Sequence, residues 1–359
     1  MQPVNIPFIG ISRLYNDHRE EFLDAADRVL RSGQLMNGNY TAEFENWLAK
    51  KNHSKYAVTV HSGTTALEIQ AAYYKEISNS KHPTVALPTV TFPATGNAFV
   101  RAGWYVTLLD CDNYGMAVHG EHEKFDIFVM VGIYGHGVDS LYDDIWIGSN
   151  NVIEDGAQHW LSRNCRRYGL STAISFDPSK NLPNFGNGGA LVTDDLEFYE
   201  FAKRWRNHGK GGGVTQTGSN ARMSEVDCAQ MLIKAEYIDS WQERRADIAR
   251  YWMERLNEAG VRTLIDRKNY DDHCYHKFII DVDNRNELES RLKYRGIETK
   301  VHYPTPLHEM TCFANTDKPD MFASASSLSR RVLSLPIYPE LTDLEIEYIA
   351  DQVLDCAFD

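Results

Sequence analysis

At 359 residues the chain is too long for one ordinary domain, and two unequal domains are expected. Hydrophobic residues at 43 % and charged residues at 24 % match a globular protein able to bury a large core. A formal net charge of -13 argues against nucleic acid or an anionic membrane as partner, but it leaves room for a small anionic ligand in a locally positive pocket.

Met1 to Glu20 carries no basic stretch followed by a long apolar run, so neither a secretory signal nor a membrane span is expected. Asp17 to Arg31 places Phe22, Leu23, Ala26, Val29 and Leu30 on one helical face, and Ser32-Gly33 stops it. Thr41 to Lys50 reads as a second helix, with Thr41 as its N-cap and Glu43 and Glu45 where the dipole favours acids. From Tyr56 short apolar runs take over: Tyr56–Val60, Thr84–Pro88, Tyr105–Leu109, Ile127–Ile133, Asn151–Glu154, Ala173–Phe176 and Ala190–Thr193. Helical or loop segments separate most of these seven candidates, which predicts a mostly parallel α/β sheet. Glu225 to Leu256 then reads as one long helix or two joined ones. A strand at Lys277–Val282 and helices at Glu287–Tyr294 and Asp343–Asp355 follow. The expected division is a large α/β domain over residues 1–235 and a smaller α+β domain over 236–359. The six cysteines have no CxxC spacing, which suits free thiols in a reducing cytoplasm and offers no metal site.

Ligands of an open parallel sheet collect beyond the carboxyl ends of its strands. Three such places carry chemistry. His61-Ser62-Gly63-Thr64-Thr65 follows the first strand and enters a helix, offering free N–H groups, hydroxyls and a favourable dipole to a phosphate. Asp155, after Val152-Ile153-Glu154, sets an acid at the end of a buried strand, where something cationic has to face it. Lys180, in Ser175-Phe176-Asp177-Pro178-Ser179-Lys180-Asn181, follows another strand; in a partly desolvated pocket its lowered pKa suits it to a Schiff base. Taken singly, these also fit a plain helix cap, a structural ion pair and a solvated loop lysine. Taken together they fit one ligand with a phosphate, a ring nitrogen and an aldehyde, which is pyridoxal 5'-phosphate (PLP).

The order phosphate turn, aspartate, lysine resembles the aspartate-aminotransferase-like fold. Nearly the whole chain resembles the DegT-type sugar aminotransferases. The resemblance is carried by Ser62-Gly63-Thr64-Thr65-Ala66-Leu67, Thr91-Phe92-Pro93-Ala94-Thr95-Gly96-Asn97-Ala98, Ile153-Glu154-Asp155-Gly156-Ala157-Gln158 and Gly218-Ser219-Asn220-Ala221-Arg222-Met223. His302-Tyr303-Pro304 and Leu333-Ser334-Leu335-Pro336 extend it towards the C-terminus.

The resemblance implies roles. Lys180 would hold PLP and Asp155 would keep its ring nitrogen protonated. Gln158 would bond near the ring, Ser62, Gly63, Thr64 and Ser175 would hold the phosphate, and Phe92 would stack on the ring. Asn220 would reach the phosphate of a neighbouring subunit, implying a homodimer with shared active sites. Tyr303 and His308 are candidates for the sugar side of the pocket, a packed loop being the other reading. The histidine usual in that family two residues before Tyr134-Gly135 is Gly132 here, and Asn187 stands where an acid is common before the double glycine.

The expected reaction moves an amino group from glutamate, through the PLP and aminated (PMP) forms of the cofactor, to a nucleotide-linked keto sugar. The lysine loop looks more like that of relatives aminating a 3-keto than a 4-keto sugar. Rival readings are a PLP-dependent sugar dehydratase, whose members carry histidine at the place of Lys180, and a non-catalytic regulator on the same fold. No nucleic acid, membrane or metal is expected.

Overall fold

A computed structural model describes residues 5–118, 125–137, 151–163, 165, 169–211, 213, 216–265, 272–313 and 319–358. Helices α1 (Ile11–Asp17), α2 (Arg19–Ser32) and α3 (Asn39–Lys51) lead into β1 (Tyr56–Val60) and α4 (Gly63–Glu76). Then come β2 (Thr84–Pro88), α5 (Pro93–Ala102), β3 (Tyr105–Leu109), β4 (Ile127–Val131), β5 (Val152–Asp155), β6 (Ser171–Ser175), β7 (Gly189–Thr193) and α6 (Leu196–Trp205). The remainder is α7 (Glu225–Glu258), β8 (Arg262–Thr263), β9 (Phe278–Asp281), α8 (Arg285–Tyr294), α9 (Ala323–Arg331), β10 (Val332–Leu335) and α10 (Asp343–Phe358).

Strands β1 to β7 form one seven-stranded sheet in the order β1-β7-β6-β5-β4-β2-β3. The pairs from β3 through β6 are parallel, and β7 runs antiparallel to both β1 and β6. Strands β4 to β7 are buried along their whole length, as runs such as Ile-Phe-Val-Met-Val require when both faces of a sheet are covered. One face packs on α4, α5 and α6 through Leu67, Ile69, Phe99 and Phe198; the other packs on α3 and the first half of α7 through Phe44, Leu48, Met231 and Ile238. The fold is therefore a three-layer α/β architecture with a mostly parallel seven-stranded sheet, as the runs of the sequence indicate.

A second, antiparallel sheet, β10-β9-β8, packs with α8, α10 and the second half of α7. The N-terminal segment joins this unit through Ile6, bridged to Ile297. Helix α7 is one element of 34 residues serving both cores, with Cys228 and Met231 in the first and Trp252 and Leu256 in the second. Its length is about 50 Å. The boundary expected at 235/236 falls inside it.

Thr41 was expected to cap α3. The helix instead begins at Asn39 after Gly38, and Thr41 lies in its first turn. The cap is remote: the buried carboxylate of Glu225 accepts the N–H groups of Gly38 at 2.8 Å, Tyr40 at 3.0 Å and Thr41 at 2.9 Å. No helix among the described residues is long and apolar enough to cross a membrane.

Candidate active site

The carboxyl ends of β1, β5 and β6 border a cavity of about 400 Å³ lined by Ser62, Gly63, Thr64, Phe92, Asp155 and Gln158, with Ser175, Lys180, His276, Lys277, His302 and Tyr303 completing the wall. Ser62 sits in extended backbone at the end of the β1 turn and caps α4, its Oγ accepting the Thr65 N–H at 3.1 Å. Gly63 opens α4 pressed against Ser175. A Cβ at position 63 would come within 2.7 Å of the Ser175 Cβ, so only glycine lets the helix start so close to the end of β6. The result is a helix N-terminus flanked by hydroxyls, an anion site by dipole and by unpaired N–H groups.

Asp155 ends β5 and is buried. Its Oδ2 accepts the Thr95 hydroxyl at 2.7 Å and its Oδ1 accepts the Ala157 N–H at 3.1 Å. Thr95 comes from the first turn of α5 and is itself bonded to Thr91 at 2.9 Å. A carboxylate has about four lone-pair directions, so two described donors leave capacity for a further one from the cavity.

Lys180 stands in a tight turn, its N–H donating to the Asp177 carbonyl at 2.8 Å. Burial lowers the pKa of its amine, against Asp155 and Asp177, which raise it. Gln158 bridges two loops: its Oε1 accepts the Tyr134 N–H at 2.9 Å and its Nε2 donates to the Tyr303 hydroxyl at 3.2 Å. Burial and the negative charge of Asp155 raise the pKa of the Tyr303 hydroxyl, which therefore stays protonated. Phe92, 54 % exposed, faces Tyr303 across the mouth with ring centroids 6.1 Å apart.

The structure thus brings Ser62, Gly63, Thr64, Phe92, Asp155, Gln158, Ser175, Lys180 and Tyr303 to one cavity. It does not bring Asn220 or His308 there. Asn220 is exposed, and its Oδ1 accepts from Arg222 at 3.0 Å. His308 bonds Thr89 at 2.8 Å and Ser326 at 3.0 Å and stacks on Phe322, the packed-loop alternative.

Sequence reading missed Thr95, His276, Lys277 and His302 as site residues. His302 bonds Ser334 at 2.7 Å, and burial, then Lys277 and Lys180, drive its pKa down to about 3. A neutral imidazole therefore faces the cavity. Thr95 had a signal in the Thr91–Thr95 spacing of one helical turn. Lys277 read only as the first residue of a strand.

Gly132 has its own explanation. A Cβ there would lie 2.4 Å from the His159 Cγ, and the His159 Nδ1 accepts the Gly132 N–H at 3.0 Å. A side chain at position 132 would therefore meet the His159 ring, which already fills that place. Glu154, His159 and Cys165 lie within 4.8 Å of one another, a spacing a metal could use. With Nδ1 accepting a backbone N–H, however, the neutral ring carries its proton on Nε2, 3.8 Å from Glu154, where a metal would need a lone pair.

The group that this site would hold needs an anion cradle, an acid against a ring nitrogen, a desolvated amine and room for a ring. The α4 N-terminus, Asp155, Lys180 and the cavity supply each of these. Comparison with known proteins agrees. The model of the DegT/DnrJ/EryC1/StrS aminotransferase family matches residues 16–354. The chain is 30% identical over 94% of its length, and 96% of the relative's, to the erythromycin biosynthesis sensory transduction protein EryC1 of Saccharopolyspora erythraea. It is 30% identical to the dTDP-3-amino-3,4,6-trideoxy-alpha-D-glucose transaminase of Streptomyces venezuelae, covering 98% of this chain and 96% of that one. The crystal structure of S. venezuelae DesV in complex with a ketimine intermediate superposes with a TM-score of 0.89 at 29% identity, covering 99% of both chains.

Proposed function

The chain belongs to the DegT/DnrJ/EryC1/StrS aminotransferase family, a PLP-dependent enzyme among sugar aminotransferases, and we propose that it transfers an amino group from glutamate to the 3-keto carbon of a nucleotide-linked sugar. One observation carries this reading: Lys180, Asp155 and the α4 N-terminus face one cavity. The 3-keto preference is supported by the S. venezuelae relative, whose name describes a 3-amino sugar.

PLP supplies an aldehyde to receive the amine and a ring that withdraws electrons from the reacting carbon. Ser62, Gly63, Thr64 and Ser175 would hold its phosphate, and Phe92 its ring face. Asp155, fixed by Thr95 and Ala157, would keep a proton on the ring nitrogen. Gln158, which donates to the Tyr303 hydroxyl, would hydrogen-bond near the ring or its oxygen. Lys180 would hold the cofactor through its side-chain amine, and that amine, its pKa lowered by burial, would take the proton from the donor's α-carbon. Asn220, exposed and outside this chain's own cavity, fits a residue that completes the site of a second copy, so the working unit is a homodimer.

The test is the visible absorbance of the purified protein with PLP. A yellow band that bleaches with glutamate and returns with 2-oxoglutarate is expected, and Lys180→Ala should lose both the band and turnover. A band untouched by glutamate would reject the donor. A folded protein with no band would reject the assignment of Lys180.

A further inference from the structure

The cavity contains a second lysine. Lys277 precedes β9, is 5 % exposed, and lines the same space as Lys180, Asp155 and Tyr303. Its backbone is fixed, the N–H donating to the Tyr134 carbonyl at 2.9 Å. Its Nζ donates to the neutral Ser179 carbonyl at 3.2 Å and stands 5.3 Å from the Phe8 ring centroid. Among the described residues no carboxylate pairs with it directly. Lys180 and Arg245 repel its charge and Asp177 attracts it, while His276 and His302 lie beside it. Burial, then those two cations, hold its amine well below the usual lysine range.

An ammonium has three donors. In that charged form one neutral acceptor leaves two of them unmet in a buried place, so the form is costly unless an anion enters beside it. The α4 N-terminus, Asp155 and Lys180 are each accounted for by a part of the cofactor; Lys277 is not. We propose that Lys277 is the receptor for a carboxylate of the amino donor, held in the same cavity as the reacting amine. This rests on the PLP reading above. Size selects the donor. A side chain so buried meets only what enters fully, and a cavity of about 400 Å³ has room for the cofactor and a small acid, whereas a nucleoside diphosphate must extend beyond it.

The test uses the PLP-loaded enzyme and Lys277→Met, which keeps the volume and removes the charge. The probes are glutarate, its neutral diamide glutaramide, and UDP, followed by calorimetry, with the visible band as the check on folding and cofactor. Expected are an unchanged band, glutarate affinity weakened roughly tenfold or more, and no change for glutaramide or UDP. Binding of glutarate to the natural enzyme should also raise the pKa of that amine and so take up protons, because a carboxylate favours the charged form that burial and the neighbouring cations disfavour. Lys277→Met should lose that uptake, a readout that a purely structural lysine would not move. Glutarate affinity unchanged with the band intact would overturn the proposal and leave the cofactor reading standing. Weakened UDP in place of weakened glutarate would overturn the donor assignment, and loss of the band in Lys277→Met alone would make Lys277 a cofactor residue instead. No band in the natural enzyme would remove the premise itself.

Discussion

Asp155 can serve a ring nitrogen only if its charge is kept and its direction is fixed. The residue doing the fixing is Thr95, whose hydroxyl donates at 2.7 Å from a different element. Thr95→Val preserves shape and deletes one donor to a buried carboxylate. A hydrogen bond to a charged group contributes about 1.5–3 kcal/mol. If that orientation matters to the reaction, kcat/KM should fall roughly tenfold or more in Thr95→Val and recover in Thr95→Ser, which steady-state kinetics on the two variants would decide. An unchanged kcat/KM would make Thr95 a packing residue only. The same scale explains what the sequence concealed. Asp155 and Lys180 could be found because each follows a run of apolar residues that fixes a strand end. The Thr91–Thr95 spacing marks a helical face but not that Asp155 meets it, and Lys277 matters through a cavity wall distant in sequence that no local pattern announces.

Among the elements, β4 to β7 were legible because full burial on both faces favours continuous apolar runs, and β1 and β2 nearly share that burial, whereas β3 at the sheet edge exposes Tyr105 and Thr107. Strand β8 has two residues and β10 four, too few for a period, and β10 exists because β9 offers it a pairing edge. The start of α3 was misread for a related reason. Thr41 has the right chemistry for a cap, but Glu225 reaches it from the first residue of α7 and accepts three backbone N–H groups there. One carboxylate thus lies at two helix N-termini, where both dipoles favour it. Glu225→Ala leaves those buried donors unmet and should cost about 3 kcal/mol or more. Glu225→Gln, keeping one acceptor oxygen, should cost about half of that. Urea midpoints for the two variants would check the order. Equal midpoints for Glu225→Ala and the natural protein would show that water caps α3 as well as the carboxylate does.

At the scale of the whole molecule, acid should loosen the protein earlier than carboxylate pairing alone would. His273, His276 and His302 are held below their usual pKa, chiefly by burial, with His302 at about 3. In the unfolded chain they take up protons near pH 6.5. Between that pH and the folded value the unfolded state binds more protons, so the stability these histidines contribute is whole above pH 6.5 and falls as the pH drops. His302 alone contributes a slope of roughly 1.4 kcal/mol per pH unit down to about pH 3. Melting temperatures from pH 7.5 to 4.5 should show the decline, and His302→Gln should flatten it.

The assembly can be tested at the same scale. Leu23 and Leu30 on α2, with Leu35 and Met36 after it, leave large apolar side chains exposed on the single chain, a surface that suits a second copy. If Asn220 serves the neighbour's cavity, each site takes Lys180 from one chain and Asn220 from the other. Lys180→Ala and Asn220→Ala would then each be impaired alone. In a mixed dimer one site receives the intact lysine of the second variant and the intact asparagine of the first, while the other site carries both lesions. Random exchange makes about half the dimers mixed, each with one good site, so mixing should restore about a quarter of natural activity. A site built within one chain has no such route: mixing would give only the mean of the two parents, and the shared-site reading would fall.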